Sequence, residues 1–499
     1  MKMGVKALCL LLTTLLSSSL MASDLQDSVN HIFGAINSAY APILFWPVPI
    51  FHLPLILFVM VTGGIFFTVR YGFLNLRMFG HAIRVVKGDY DHPDHEGDIT
   101  HFQALTSALS ATVGLGNIAG VAVAIGAGGP GAILWLWLVA FFGMSMKFSS
   151  CTFAQLYRVK DSKGGMLGGP MVYLSQGFKE KGFTGLGKVV GGFFAFMTIL
   201  ASFGGGNLFQ ANQTYEIINS KFPAISPWVV GIVLAVLSGI VLLGGIKRIG
   251  AVTSKIVPFM CAFYVLACLA IIFSNLPAVP KMFAEIFNQA FNPDALYGGF
   301  LGVMIQGVKR ASFSNEAGLG SAAIAHSAAK TDEPVREGLV AMIGPFIDTI
   351  VVCTMTALVI LITDAHLDPS VAGKGVEMTS LAFSSLGSFM PYLLMGAICV
   401  FAYSTVISWS YYGERATEYL FGRRFGQKAI TTYKVIYVLI IVIGPVLSIG
   451  HVVDFADLML LSMAFPNILG MIYLSKTVKD RVDDYLTRYK SGKMVKYTN

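Results

Sequence analysis

Residues 97–131, GDITHFQALTSALSATVGLGNIAGVAVAIGAGGPG, are long and apolar enough to cross a bilayer. They nevertheless carry Ser, Thr, Asn and several glycines where lipid favours hydrocarbon. The centre, Thr112-Val113-Gly114-Leu115-Gly116-Asn117, is a poor continuous helix, and Gly114 and Gly116 invite a break. A break at bilayer depth frees backbone N–H and C=O groups, which is tolerable only where protein, water or ligand satisfies them. Freed carbonyls can replace the hydration shell of Na⁺, and the N-terminus of the second half-helix offers amides and partial positive charge to a carboxylate. Glycines also serve close helix packing, but a polar Asn117 beside two of them favours the binding element.

Composition sets the frame for that reading. With 499 residues, 55% hydrophobic, 12% charged and a mean hydropathy of +0.69, the chain is expected to be an all-α, polytopic membrane protein. The net charge of +8 does not point to nucleic acid, because the basic residues lie between apolar spans and in the tail instead of on one patch. Cys9, Cys151, Cys261, Cys268, Cys353 and Cys399 show no CxxC spacing, so neither a disulfide framework nor a zinc site is expected. His92 and His95, in DYDHPDHEGD, read as part of a solvated acidic loop.

Residues 1–23 place Lys2 and Lys6 before an apolar run and then small residues, the layout of a secretory signal peptide. Leu20 is a poor residue for the position three before a cut at Ser23, which leaves an uncleaved signal anchor open. Residues 24–96 are read as an interfacial segment and one extra span. About eleven spans follow from apolar runs of about 20 residues: near 50–70, 104–127, 130–157, 188–215, 227–246, 254–274, 297–325, 338–363, 389–413, 430–449 and 455–475. Alternating sides gathers Arg70, Arg77, Arg84, Lys87, Arg158, Arg336, Arg423, Arg424 and most other basic residues on one side, which makes that side cytoplasmic. The N-terminus is then outside and the C-terminus inside, with the basic tail, 476–499, lying along the membrane surface.

Setting the first span aside leaves two groups of five, residues 97–285 and 286–475. An odd number of helices per group forces opposite orientations, the plan of an inverted repeat whose paired broken helices meet near the midplane. The second group opens with GVMIQGVKRASFSNEAGLGSAAIAHSA, where Gly318 and Gly320 permit another bend and Ser312, Ser314 and Asn315 offer polar side chains to a ligand. Lys309, Arg310 and Glu316 in the same span either form a salt-bridged gate on the cytoplasmic pathway or mark an earlier helix end. Other polar patches are Gly204-Gly205-Gly206-Asn207-Leu208-Phe209-Gln210-Ala211-Asn212, with Phe209 as a lid, then Asp348 with Thr349, Thr354 and Thr356, and Ser404-Thr405 before Trp409. Taken singly, each is explained as well by an interhelical hydrogen bond.

The chain resembles the alanine or glycine:cation symporter family, the sodium:alanine symporters, across nearly all of residues 97–475. The matching words are GDITHFQALTSALSATVGLGNIAGVA, GGPGAILWLW, FSNEAGLGSAAIAHSAAKTDEPVREGL and FAYSTVISWSYYGE. The resemblance implies the LeuT-like 5+5 fold of the amino acid-polyamine-organocation superfamily, with one extra N-terminal helix, and Na⁺-coupled uptake of alanine or glycine. Val113-Gly114-Leu115-Gly116-Asn117 is also similar to the VGLGN word in the first core helix of bacterial neurotransmitter:sodium symporters. By position, that likeness implies one sodium site at the Ser110 and Val113 carbonyls with the Ser404 and Thr405 hydroxyls. It implies another at the Thr112 carbonyl and Asn117 side chain, with the Leu115 and Gly116 amides facing the substrate carboxylate. Leu115 and His101 stand where many alanine symporters have Thr and Pro, which leaves only backbone roles at 115.

The expected substrate set is completed by Thr112, Gly114, Phe209, Gln210, Asn212, Ser312, Ser314, Asn315 and Trp409, the bulky indole limiting side-chain size. Na⁺ is the coupling ion, no other cofactor is expected, and the partners are alanine or glycine and the lipid bilayer. A proton-coupled or broader neutral amino-acid carrier is the alternative within transport. A membrane-embedded enzyme would need a catalytic grouping, and the sequence carries neither HExxH nor a plausible Ser-His-Asp set.

Overall fold

Residues 19–497 are described in the computed structural model, except 50–52, 93, 162–163, 243–244, 292–298 and 372–373. Most of the expected signal segment, residues 1–18, lies outside the described residues. Helix α1 (Ser19–Leu44) packs along the helix near the C-terminus, where the Phe33 and Phe455 rings meet edge to face at 4.8 Å. The extra span is α2 (Leu55–Arg70), followed by a short amphipathic helix, α3 (Phe79–Val86).

The first interrupted helix starts where Thr100 accepts from the Gln103 N–H while the Gln103 side chain reaches back to the Thr100 N–H, a reciprocal cap. It runs as α4 (His101–Thr112), breaks over residues 113–118, and resumes as α5 (Ala119–Gly128). Gly129, at φ 68°, ends α5. Next come α6 (Ala132–Leu156), the hairpin β1 (Val159–Lys160) with β2 (Met166–Leu167), and α7 (Pro170–Glu180). The third core span is α8 (Thr184–Phe203) joined to α9 (Phe209–Asn219) through one π-helical turn, Gly204–Leu208. Helices α10 (Pro227–Leu242), α11 (Gly245–Ser274) and α12 (Val279–Phe291) close the first half.

The second interrupted helix is α13 (Gly299–Asn315), a break over 316–321, and α14 (Ala322–His326). Glu316, Gly318 and Gly320 take φ values of 56°, 88° and 87°, so the bend rests on left-handed backbone that two glycines adopt freely. Then α15 (Pro334–Pro345) passes through a π-helical stretch, Phe346–Cys353, into α16 (Thr354–Ile362). After α17 (Gly375–Phe383) come α18 (Met390–Phe425), α19 (Gln427–Ile443), α20 (Ile449–Tyr473) and α21 (Ser475–Lys490).

Among the described residues, each expected span is largely helical, and both interruptions fall where the glycines placed them. Among the described residues, seven continuous helices are long and apolar enough to cross a membrane by themselves, and Leu55–Arg70, Ala119–Gly128 and Pro227–Leu242 are shorter apolar ones. The α4/α5 span escapes a length criterion because its break divides it. The protein is a multi-pass, all-α membrane protein. In the tail, α21 buries Val478, Val482 and Tyr485 against the chain itself. Tyr485 Oη lies 2.7 Å from His81 Nε2. Burial, followed by the charge of Arg84, pushes the His81 imidazole down to about 4, so it pairs with the tyrosine hydroxyl as a neutral ring. Arg488 grips Glu333 with two bonds of 2.5 and 3.0 Å.

Candidate functional site

At the first break, helical hydrogen bonding stops and each freed group must find another partner. Val113 turns out of the helix at φ −75°, ψ 83°. The Gly114 N–H donates to the Thr112 carbonyl at 2.9 Å and to Asn117 Oδ1 at 3.0 Å. The Leu115 N–H points at Gln210 Oε1, 3.4 Å away. Helix α18 supplies donors for the carbonyls ending α4: Thr405 Oγ1 to Ser110 at 2.9 Å and Trp409 Nε1 to Ala111 at 3.3 Å. The Gly116 N–H and the Val113 C=O find no hydrogen-bond partner among the described residues.

Around Thr405 the oxygens converge. Its hydroxyl also donates to the Phe401 carbonyl at 3.1 Å, as does Ser404 Oγ at 2.9 Å, and Ser110 Oγ donates to the Ser404 carbonyl at 2.7 Å. A Cβ at residue 114 would overlap Thr405 Oγ1, so only glycine lets α18 approach this closely. The four residues are all buried.

Asn117 joins the two breaks. Its Nδ2 donates to Ser314 Oγ at 3.2 Å and to the Asp348 carbonyl at 3.1 Å, while its own carbonyl accepts from Thr356 Oγ1 at 2.8 Å. Asp348 Oδ1 accepts from Ser314 at 2.5 Å and Thr349 at 2.8 Å, and its Oδ2 is buried with no hydrogen-bond partner among the described residues. Asn315 Nδ2 donates to Thr349 Oγ1 at 3.0 Å. The last carbonyl of α13, that of Asn315, accepts from Lys147 Nζ at 3.0 Å. Glu316 is buried and takes a bond from the Ser321 hydroxyl.

Between the breaks lies a small cavity lined by Ala111, Thr112, Gly116, Gly205, Gln210, Phe313, Trp409 and Leu460. Its volume of about 10 Å³ holds roughly one water. Anything larger requires side chains to move. Phe209 meets Phe313 edge to face at 4.9 Å, and Arg310 lies 5.4 Å over the Phe313 ring. A Cβ at residue 206 would strike the Trp409 side chain, so the glycine run seats the indole against α18's neighbour.

Most of the expected residues therefore meet at one place, but Asn212 and Ser312 do not. Asn212 Nδ2 binds the Gly444 and Leu447 carbonyls at 3.3 and 2.7 Å, and Ser312 Oγ bonds back to Val308 at 2.7 Å beside Met60. Both turn away from the cavity. Of the charges in this span, Lys309 and Arg310 lie within α13, whereas Glu316 directly follows its end at Asn315, ten residues short of the expected span end at 325. Arg310 pairs with Asp457 of α20, in the half of the molecule where α13 packs on α5. At the α4/α14 end, His101 and His326 both bond Glu337, His326 at 2.5 Å. Lys147, Phe401, Phe313, Leu460 and Glu337 escaped the sequence reading. For Lys147 the signal existed, a lone cation inside a hydrophobic span.

The family model for the sodium:alanine symporter family matches residues 42–499. The chain is similar to the sodium/alanine symporter AgcS of Methanococcus maripaludis, at 44% identity over 427 residues, covering 85% of this chain and 92% of that one. It is also similar to the probable sodium/glutamine symporter GlnT of Bacillus subtilis, at 35% identity, covering 94% of this chain and 93% of that one. Among solved structures, MhsT in complex with L-phenylalanine aligns with a TM-score of 0.53 at 14% identity, over 76% of this chain and 98% of that one, which shows the shared LeuT-like fold alone. With two broken helices meeting across a polar midplane and a family match over nearly the whole length, the chain belongs to the sodium:alanine symporter family.

Proposed function

We propose that the chain moves alanine or glycine into the cell together with Na⁺, by alternating access around the paired breaks. The observation that carries the reading is the convergence of freed backbone and hydroxyl oxygens at Thr405 beside an unpaired Gly116 amide. One Na⁺ is held by the Ser110, Val113 and Phe401 carbonyls with Ser404 and Thr405 Oγ. A second is held by the Thr112 carbonyl, Asn117 Oδ1 and Ser314 Oγ, where Asp348 Oδ2, without a hydrogen-bond partner among the described residues, adds a further oxygen. The substrate carboxylate takes the Leu115 and Gly116 amides, displacing Gln210 from Leu115. Phe209 with Phe313, and Arg310 with Asp457, close the outer side, while the His101–Glu337–His326 cluster closes the cytoplasmic side.

The inverted repeats are residues 97–285 and 286–475, access alternates between a broken-helix bundle and a scaffold, and the distribution of basic loops supports an outside N-terminus with α21 cytoplasmic. Coupling then follows from reciprocity: each ligand raises the affinity of the other by the same factor. Proteoliposomes with an imposed Na⁺ gradient are expected to accumulate labelled alanine, and choline in place of Na⁺ at fixed pH is expected to abolish it. Equal accumulation in choline overturns Na⁺ coupling, and accumulation driven by a pH gradient alone favours a proton-coupled carrier.

Trp409 sets the size limit, since its indole is fixed by Ala111, by the space at Gly206 and by Tyr412 at 5.2 Å edge to face. Trp409→Ala is expected to improve competition by leucine relative to alanine about tenfold, the order expected for space gained in an apolar pocket. Unchanged selectivity in a folded variant assigns the indole to packing.

A further inference from the structure

Away from the midplane, α8, α18 and α19 enclose a crevice of about 370 Å³ that the transport reading does not use. Its walls include Ile199, Phe203, Phe421, Phe425 and Ile436. Phe421, Phe425 and Ile436 are each 43–51% exposed, so the crevice opens sideways to the bilayer. Inside it, Thr417 is 5% exposed, and its Oγ1 has no hydrogen-bond partner among the described residues. A hydroxyl without an acceptor in an apolar wall needs a polar atom from whatever fills the space.

The unpaired charges that adjoin it in the sequence share one sign. Residues 419–453 contain no Asp or Glu but carry Arg423, Arg424, Lys428 and Lys434. Lys434 is taken by Glu414 at 3.0 Å, and Arg415 takes Asp161 and Glu418 at 2.8 and 2.9 Å. Arg423, Arg424 and Lys428 are exposed and have no ion pair among the described residues, and Lys428 itself lines the crevice. A second copy of the chain related by a two-fold axis brings the same three cations to the contact and is repelled.

We propose that this crevice is a binding site for one anionic phospholipid of the cytoplasmic leaflet. The acyl chain lies between Phe421 and Ile436, the phosphate sits among Lys428, Arg423 and Arg424, and an ester oxygen accepts from Thr417 Oγ1. Basic residues at the end of an apolar groove on the cytoplasmic side are the arrangement that selects such headgroups. The site adjoins the transport machinery, because α18 also carries Ser404, Thr405 and Trp409, and Tyr433, in the crevice wall, bonds Ser202 at 2.9 Å.

Native mass spectrometry of the full chain, released into detergent with phosphatidylglycerol or phosphatidylcholine, tests the proposal. Phosphatidylglycerol is expected to remain bound, one per chain, and to raise thermal stability. Neutralising each cation as Arg423→Gln, Arg424→Gln and Lys428→Gln is expected to weaken retention about fivefold per residue. Ala429→Trp, which fills the crevice and leaves the cations in place, is expected to abolish it. Equal retention of phosphatidylcholine, or unchanged phosphatidylglycerol occupancy in the triple Gln variant and in Ala429→Trp, overturns the assignment. A dimer that disappears with Ala429→Trp, whatever lipid is present, overturns it in favour of a second copy.

Discussion

Lys147→Met is expected to destabilise the protein by about 1.5–3 kcal/mol, the range for losing a hydrogen bond made by a charged group. Lys147 is 3% exposed inside α6, and its ammonium holds the carbonyl that ends α13. Room for it exists because residue 344 is glycine, where a Cβ would lie 3.2 Å from Nζ. Glu316, 2% exposed in the second break, lies within electrostatic reach of that ammonium but forms no ion pair with it among the described residues. Methionine keeps the length and apolar volume of the lysine stem, so the loss measures the charge and its bond, not a cavity. Glu316→Gln in the same chain removes the stranded carboxylate while keeping an acceptor for Ser321, and is expected to restore most of the stability. Unfolding of purified protein in detergent, run as a double-mutant cycle, checks both statements. If Lys147→Met is as stable as the parent, or Glu316→Gln adds no recovery, the two charges are not coupled and the break stands on its backbone alone.

That pair shows where sequence reasoning reached its limit. Both breaks were legible, because Gly114 and Gly116 interrupt an otherwise apolar span and Gly318 and Gly320 recur in the second. The juxtaposition of the breaks followed from an odd number of spans per half. Which polar side chains face the midplane did not follow, because that depends on helix phase. Ser312 and Ser314 are two positions apart on α13 and so project to different sides: one lies beside α2 and the other meets Asp348. Gln210 and Asn212 divide in the same way on α9. A lone lysine in a span announces a partner, but not that the partner lies on α13, 168 positions along the chain. In the tail, apolar residues at 478, 482 and 485 show an amphipathic helix, a pattern equally suited to lipid and to protein. Only the fold brings His81 and Glu333 beneath it.

Thr405→Val is expected to raise the Na⁺ concentration for half-maximal alanine binding roughly ten- to a hundredfold, the range for losing a hydrogen-bonding group to a charge. Valine matches threonine in shape, and residue 405 is 1% exposed, so packing against Gly114 survives while the oxygen disappears. The same change leaves the Ser110 carbonyl without its donor, and that structural cost alone would lower stability at every Na⁺ concentration. The two effects separate in a thermal titration. A structural role shifts the whole curve, whereas an ion-binding role removes the stabilisation that Na⁺ adds. Linkage makes a further demand: alanine affinity falls at limiting Na⁺ and recovers when Na⁺ is raised to saturation. Thr405→Ser, which keeps the hydroxyl and loses a methyl, is expected to retain near-parental Na⁺ dependence. Should Thr405→Val titrate like the parent with Na⁺ while melting lower throughout, Thr405 is a strut between α18 and α4, and the ion takes its oxygens elsewhere.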